Sequence, residues 1–269
     1  MSSPPSSVQG LRVLVVGASS GIGRGLAVEL AAQGAAVAAT ARRETRLGEP
    51  SGVVPVACDV TVPGASDELV ANVTRELGGL DALVYAAGLS RVKALEQTEH
   101  ADWLELFATN VFGAAAVTRA AFPHLLAERS EGRALYLCSD SAAMPYPGLV
   151  AYGSSKAALS AYARGFANEV PRLRATEVIV GPTAGTEVAN HFEPAAFEEW
   201  APRWFEGGYV RYAMLQVPDV VTIIMDTLIA PAPPPTVMAT GADAHPTMEG
   251  ARNLAGPDQP ELGSAISGG

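Results

Sequence analysis

The chain has 269 residues, 48% hydrophobic and 17% charged, which suits one large α/β domain with a sizeable core. A formal net charge of −10 argues against nucleic acid or an anionic membrane as partner, while leaving room for a local basic pocket. Cys58 and Cys138 form no CxxC pattern and the four histidines have no ligand spacing, so neither a disulfide framework nor a metal site is expected, and a reducing cytoplasm fits.

Residues 1–9 contain no apolar stretch of the kind a signal peptide needs and read as a flexible lead. "RVLVVGAS" (12–19) is a strand running into a Gly/Ser turn, and "GIGRGLAVELAAQG" (21–34) a helix stopped by Gly34. Strands follow at 35–43 and 53–61, then a helix at 66–77 ending in Gly-Gly, and a strand at 82–88. A long helical pattern runs from about His100 to Arg129, a fifth strand covers 133–139, and a helix starts at Tyr152 and reaches about Leu173. A sixth strand (176–182), a helix (218–230) and a seventh strand (235–241) close the pattern. The strands are continuous apolar runs, as expected when both faces are covered. Strict β–α alternation with right-handed crossovers predicts a doubly wound parallel sheet of about seven strands with helices on both faces, a Rossmann fold. Residues 10–244 then form one domain, and the Gly/Pro-rich segment 245–269 a loose or partner-draped tail. Ligands of such sheets bind at the carboxyl ends of the strands.

"GASSGIG" follows the first strand, with glycines at Gly17, Gly21 and Gly23. Its spacing is not GxGxxG, but the physics is shared: glycines let the backbone approach a pyrophosphate, and the helix N-terminus offers unpaired amides and a positive dipole end. Ser19 and Ser20 add hydroxyl donors, and Ile22 completes the turn. A plain tight turn is the alternative. The second strand ends in "TARR", with Arg42 and Arg43 and no carboxylate before Glu44. Guanidinium forks suit a ribose 2′-phosphate, so NADP(H) is favoured over NAD(H) against the reading of two solvated arginines. Asp59, followed by Val60 in "CDVT", is placed to bond the adenine amine, and the small residues Ala86, Ala87 and Gly88 can lie against adenine and ribose.

In "AYGSSKAALSAY", Tyr152 and Lys156 stand four residues apart on one helix face, in a run of small residues. Taken alone, that spacing fits an exposed Lys beside a half-buried Tyr as well as an acid–base pair. Taken with "GASSGIG", "CDVT", "YAAG", "NVFG" and Ser139, the chain resembles the short-chain dehydrogenase/reductase family over residues 10–244. The resemblance implies a catalytic set of Asn110, Ser139, Tyr152 and Lys156. It also implies cofactor contacts from Tyr152 and Lys156, and from Pro182, Thr183 and Thr186 in "GPTAGT". Thr186 takes the place expected to bond the nicotinamide amide. The chain departs from the family pattern at Val16, at Tyr85, in the order of Gly181 and Pro182, and at Asp140 beside Ser139. Val16 and Tyr85 are expected to remove polar ties between neighbouring strands, and Asp140 to face solvent or the pocket mouth.

On that reading Tyr152 is the proton donor in reduction and the base in oxidation. A free phenol titrates near about 10, and bringing it to neutrality takes roughly 4 kcal/mol. One cation at about 4 Å, at an effective dielectric of about 20, supplies roughly that much, while burial opposes it. Lys156 is therefore required, and it should also bond the nicotinamide ribose. Ser139 would hold the substrate oxygen, with Ser141 the competing serine, and Asn110 would hold a relay water or kink its helix. Aromatics crowd the segment from Phe192 to Tyr212, within a lid expected at about 187–215, with Gly207 and Gly208 as a hinge. An inward-packed helix or a subunit contact are the alternatives. The expected function is transfer of a hydride between NADP(H) and a small hydrophobic ketone or secondary alcohol in a homodimer or homotetramer. A 3-oxoacyl or polyketide ketoreductase ranks second, since "RLR" (172–174) is a meagre docking patch for an acidic carrier. A cofactor-sensing binding protein is the non-enzymatic alternative.

Overall fold

Short runs of Val, Leu and Ala bounded by turns form β1 (Arg12–Val16), β2 (Ala36–Ala41), β3 (Val53–Ala57), β4 (Ala82–Tyr85), β5 (Arg133–Ser139), β6 (Arg174–Val180) and β9 (Thr236–Ala239). The computed structural model describes residues 7–42, 52–127, 131–186, 194–210 and 213–241. The seven strands lie in the order β3-β2-β1-β4-β5-β6-β9, and every neighbouring pair is parallel. The order reverses between β1 and β4, which opens a crevice at their carboxyl ends. Two further strands, β7 (Thr183–Ala184) and β8 (Leu215–Gln216), pair with each other beyond the sheet. They are too short to show any periodicity.

The helices are α1 (Gly21–Ala32), α2 (Ala65–Leu77), α3 (His100–Phe107), α4 (Gly113–Leu125), α5 (Val150–Glu169), α6 (Pro194–Glu206) and α7 (Val217–Ile229). Successive strand side chains point to opposite faces. Val13, Val15, Val37 and Leu135 accordingly pack with Leu26 and Leu30 of α1 and Ile224 and Leu228 of α7. Leu14, Val16, Leu83 and Tyr136 pack with residues of α2, α4 and α5 on the other face. The sheet is thus covered on both sides, which is why its strands carry no polar alternation. Among the described residues no helix is long and apolar enough to cross a membrane.

Three expectations change. Val8 is only 2% exposed and belongs to the α1-side core, so the described end of the lead expected at residues 1–9 is packed; residues 1–6 lie outside the described residues. The helical pattern from His100 to Arg129 is broken by a π-helical segment, Ala108–Phe112, between α3 and α4. Within it Asn110 donates to Leu89 O (2.9 Å) and Ser155 Oγ (2.8 Å) and accepts from Leu89 N (2.8 Å), bonds a regular helix could not aim together. Tyr85 does not remove a polar tie as expected: its hydroxyl donates to Thr109 O at 2.6 Å and joins β4 to that segment. Gly113 makes the room, since a Cβ there would stand 2.6 Å from the Tyr85 hydroxyl.

A second buried polar network ties α5 to the sheet. Glu177 on β6 is 1% exposed and accepts from Thr236 (2.7 Å), Arg164 (3.0 Å) and Ser160. Burial raises the proton affinity of Glu177, but these donors outweigh it and hold the carboxyl below its ordinary value. Glu177→Ala is expected to destabilise the fold by about 2 kcal/mol, because three donors lose their acceptor. Urea unfolding of both proteins measures it. Because the native value is depressed, the wild-type advantage is present above the unfolded carboxyl value and is lost as pH falls through the native one.

Candidate active site

A cleft of ≈ 340 Å³ runs along the carboxyl ends of β1, β2, β4, β5 and β6. At its centre lies the glycine turn. Gly17 has φ +87°, and a Cβ on it would collide with the Ala87 backbone. A Cβ on Gly23 would collide with the Gly17 carbonyl. The turn is fixed by hydrogen bonds from the amides of Gly17 and Ala18 to the Thr40 carbonyl, both 2.9 Å. Ser20 sits at the N-cap of α1 but makes no capping bond, and the first turn holds no acidic residue. The amides at that helix start are therefore left for an anion, which fits a dinucleotide pyrophosphate.

Ser19, Gly21, Ile22, Asp59, Val60, Ala86, Ala87 and Gly88 line the cleft around this turn. Arg42 stands exposed at the end of β2 and lines the same cleft, whereas Arg43 lies outside the described residues. One carboxylate oxygen of Asp59 is held by the Thr61 amide (2.9 Å) and hydroxyl (2.6 Å). Pro182, Thr183 and Thr186 close the side above α1. Thr186 donates to the Thr183 carbonyl (3.2 Å), and its Cα would lie 3.4 Å from a Cβ on Gly21.

Ser139, Tyr152 and Lys156 meet at the deeper end. Tyr152 is 7% and Lys156 5% exposed, so the reading of an exposed Lys beside a half-buried Tyr does not hold. The ammonium lies 5.9 Å from the centre of the Tyr152 ring and donates to the Leu137 carbonyl at 2.8 Å. That carbonyl is backbone, and nothing in the sequence announces it. Burial pushes the Tyr152 phenol well up, against a hydrogen bond with Ser139, and the Asp140 charge adds to the rise. Burial also lowers the proton affinity of Lys156. The spacing of the two residues predicts that Lys156 brings the phenol down; in the protein, desolvation of both groups has the greater effect, and the phenol holds its proton.

Asn110 is not in the cleft lining; its amide is committed to Leu89 and Ser155, but it stands close behind the lining, since a Cβ on Gly88 would meet both the Lys156 ammonium (3.3 Å) and Asn110 Oδ1 (3.8 Å). Small residues bring α5 close to this end. A Cβ on Gly153 would stand 2.9 Å from the Ser141 carbonyl, so that glycine lets the helix press against the turn after β5. Asp140 faces inward: Oδ1 accepts from Ser139 (3.2 Å) and Oδ2 from Tyr146 (3.0 Å).

Helix α6 covers this end. Trp204 donates to the Pro147 carbonyl at 2.6 Å, and the Trp200 ring covers Gly148, where a Cβ would meet it at 2.8 Å. Phe197, Trp204, Phe205, Val210 and Met214 line the cleft beside Leu149 and Tyr146. The aromatic helix therefore packs inward and lines the pocket at once, so the two readings of it are not exclusive. Phe192, Tyr212 and the tail 245–269 lie outside the described residues. Gly207 and Gly208, expected as a hinge, lie at the end of α6. Gly208, at φ +67°, donates to Phe205 O (3.2 Å) and Tyr209 to Trp204 O (2.9 Å), a left-handed C-terminal cap that folds Tyr209 back.

The sequence model described as short chain dehydrogenase matches residues 12–196. A short chain dehydrogenase of Pseudocercospora fijiensis is 38% identical over 173 residues, 61% of this chain and 56% of that protein. The chain spans about half the length of the first curated relatives it matches. Among solved structures, a short-chain dehydrogenase from Streptomyces avermitilis superposes with a TM-score of 0.74 at 29% identity, over 85% of this chain and 87% of that one. A short chain dehydrogenase from Burkholderia cenocepacia J2315, solved in complex with NADP, gives 0.73 at 26% identity, over 87% and 97%.

Proposed function

The chain belongs to the short-chain dehydrogenase family, and from that premise we propose that it is an NADP(H)-dependent oxidoreductase acting on a hydrophobic ketone or secondary alcohol. The observation that carries this reading is the buried Tyr152 phenol beside Ser139, one helical turn from Lys156, in the cleft that begins at the glycine turn. The turn and the start of α1 would hold the pyrophosphate, Asp59 and Ala86 to Gly88 the adenosine, and Arg42 with Arg43 a 2′-phosphate. Thr183, Thr186 and Lys156 would hold the nicotinamide half. Bound there, the nicotinamide supplies the hydride chemistry. Tyr152, whose phenol keeps its proton, gives that proton to the oxygen of the reduced carbonyl. Ser139 orients that oxygen, and Lys156 sustains positive charge beside the phenol. Asn110 acts through position, holding the π segment against α5.

The apolar wall of Phe197, Trp204, Phe205, Val210 and Met214 supports an apolar substrate. The NADP-bound Burkholderia relative and the absence of a carboxylate at the end of β2 support the phosphorylated cofactor. The exposed Leu104 and Phe112, with ring contacts from Trp103 through Phe107 to Phe112, support a homodimer or homotetramer formed through the α3–α4 face. The test is a panel of apolar ketones and secondary alcohols assayed with NADPH and NADH. NADPH should be preferred, and Arg42→Ala should raise its KM about tenfold while leaving that for NADH within about twofold. No turnover with either cofactor would end the oxidoreductase reading; an unchanged NADPH preference in Arg42→Ala would end the role of Arg42.

A further inference from the structure

Ser139 has one hydroxyl proton, and the hydrogen bonds around it say where that proton points. Ser139 accepts from the Ser141 amide (3.2 Å) and from the Ser141 hydroxyl (2.9 Å), donates to Asp140 Oδ1 (3.2 Å), and also shares a hydrogen bond with the Tyr152 hydroxyl, so Asp140 and the phenol compete for its one proton. The other oxygen of Asp140 accepts from Tyr146 (3.0 Å), whose ring is 7% exposed and held by Trp204 at 5.9 Å and Tyr209 at 6.0 Å between ring centres. A chain of hydroxyls thus drains toward one carboxylate. While Asp140 is ionised it can only accept, and the Ser139 proton is turned from the substrate oxygen.

We propose that Asp140 is a positioning residue: its protonation releases the Ser139 hydroxyl toward Tyr152 and the substrate oxygen, so that carbonyl reduction runs faster with Asp140 neutral than with Asp140 ionised. The inference rests on the oxidoreductase reading above. Two effects act in the same direction. Ionised Asp140 captures the Ser139 proton, and its charge opposes the negative charge that Tyr152 takes on when it gives up its own.

Among the described residues, the groups around Asp140 are few. On its own segment stand Ser139, Ser141 and the Cys138 thiol; α5 presents Tyr152 and Lys156; the loop before α5 presents Tyr146; and α6 meets Tyr146 with Trp204. The other charged residues of the cleft lining, Arg42 and Asp59, stand at the β2–β3 end. Burial raises the proton affinity of Asp140 from its ordinary value, and the bonds from Tyr146 and Ser139 oppose the rise. Ionisation therefore occurs on going up in pH, and the rate of reduction should fall through that transition. Tyr146, gripped by α6, connects the cover of the pocket to the state of Asp140.

The test is the pH profile of kcat/KM for ketone reduction in wild type, Asp140→Ala, Asp140→Asn and Tyr146→Phe. Wild type should show an acid plateau at least about tenfold above the alkaline one. Both Asp140 variants should lose the step. Tyr146→Phe should move it to higher pH, because the carboxylate loses a donor. The same shift should appear without substrate, as a ¹³C NMR titration of the Asp140 carboxyl, assigned by its loss in Asp140→Asn. A step that survives in both Asp140 variants, or a Tyr146→Phe titration that does not move upward, overturns this inference while the oxidoreductase reading stands. Absence of turnover in wild type at every pH overturns both.

Discussion

Tyr152→Phe is expected to lower carbonyl turnover by at least about 10³-fold while NADPH affinity stays within about threefold of wild type. The substitution removes one oxygen and keeps the ring. The ring is what packs: Tyr152 lies with Leu89, Leu149 and Trp204 in the apolar cluster beneath α6, and phenylalanine fills that space equally. On the proposed mechanism the oxygen is what reacts: it meets Ser139 and, among the described residues, is the only buried phenol at this end of the cleft that has Lys156 one turn away. Tyr146 cannot replace it, since its hydroxyl is spent on Asp140. A structural role for the hydroxyl would appear as a lower unfolding midpoint with activity scaled to the folded fraction. A catalytic role leaves the midpoint nearly unchanged and removes turnover from fully folded protein. Tryptophan fluorescence during urea unfolding, NADPH titration and consumption of reduced cofactor on the best ketone of the panel separate the two. Turnover within tenfold of wild type would withdraw Tyr152 from the chemistry.

Much of this geometry is legible in the chain because its causes are local. The glycine turn is set by Gly17 and Gly23, where a Cβ would collide with backbone, and by Gly21 with its φ of +53°; the seven strands are set by apolar runs covered on both faces. The positions of Tyr152 and Lys156 on one helix face follow from the helical repeat. The parts that escape depend on partners distant in sequence. In the π segment Asn110 bonds Leu89 and Ser155, which lie 21 and 45 residues away. Tyr85 replaces a polar tie with another because Gly113 leaves space for its hydroxyl. The direction of the Tyr152 shift is hidden from the sequence because spacing gives a Coulomb partner but not the depth of burial, and here burial outweighs the hydrogen bond with Ser139 that favours the ionised phenol. Asp140 is visible in the chain as an oddity; that it faces Ser139 and Tyr146 together is not.

Gly17→Ala should abolish cofactor binding and weaken the fold, and the two effects share one cause. Gly17 has φ +87°, which alone strains a residue with a Cβ by about 1–3 kcal/mol. The added methyl would also overlap the backbone of Ala87, which cannot swing aside as a flexible side chain would. Ala87 follows β4, whose register with β1 is fixed from Val13 opposite Ala82 to Val16 opposite Tyr85 and continued by the Ala86 amide on the Val16 carbonyl (2.8 Å). Relief therefore requires β1 and β4 to part at their carboxyl ends. That is the floor of the cleft where the adenosine and pyrophosphate would lie. We expect a loss of about 3 kcal/mol in stability and at least about 100-fold in NADPH affinity. Gly165→Ala is the matched control. Gly165 sits within α5 on its exposed side, has no atom within 4 Å of a built Cβ, and has an ordinary helical φ. Alanine there should stabilise by about 0.5–1 kcal/mol and leave affinity unaltered. Calorimetric melting of the cofactor-free proteins and NADPH fluorescence titration of each give both numbers. If Gly17→Ala melts with wild type and still binds NADPH, the turn is not the close-approach site that its backbone geometry describes. If it melts low but binds NADPH normally once folded, the glycine serves the sheet alone, and the pyrophosphate must be held from the α1 amides without help from the β1 turn.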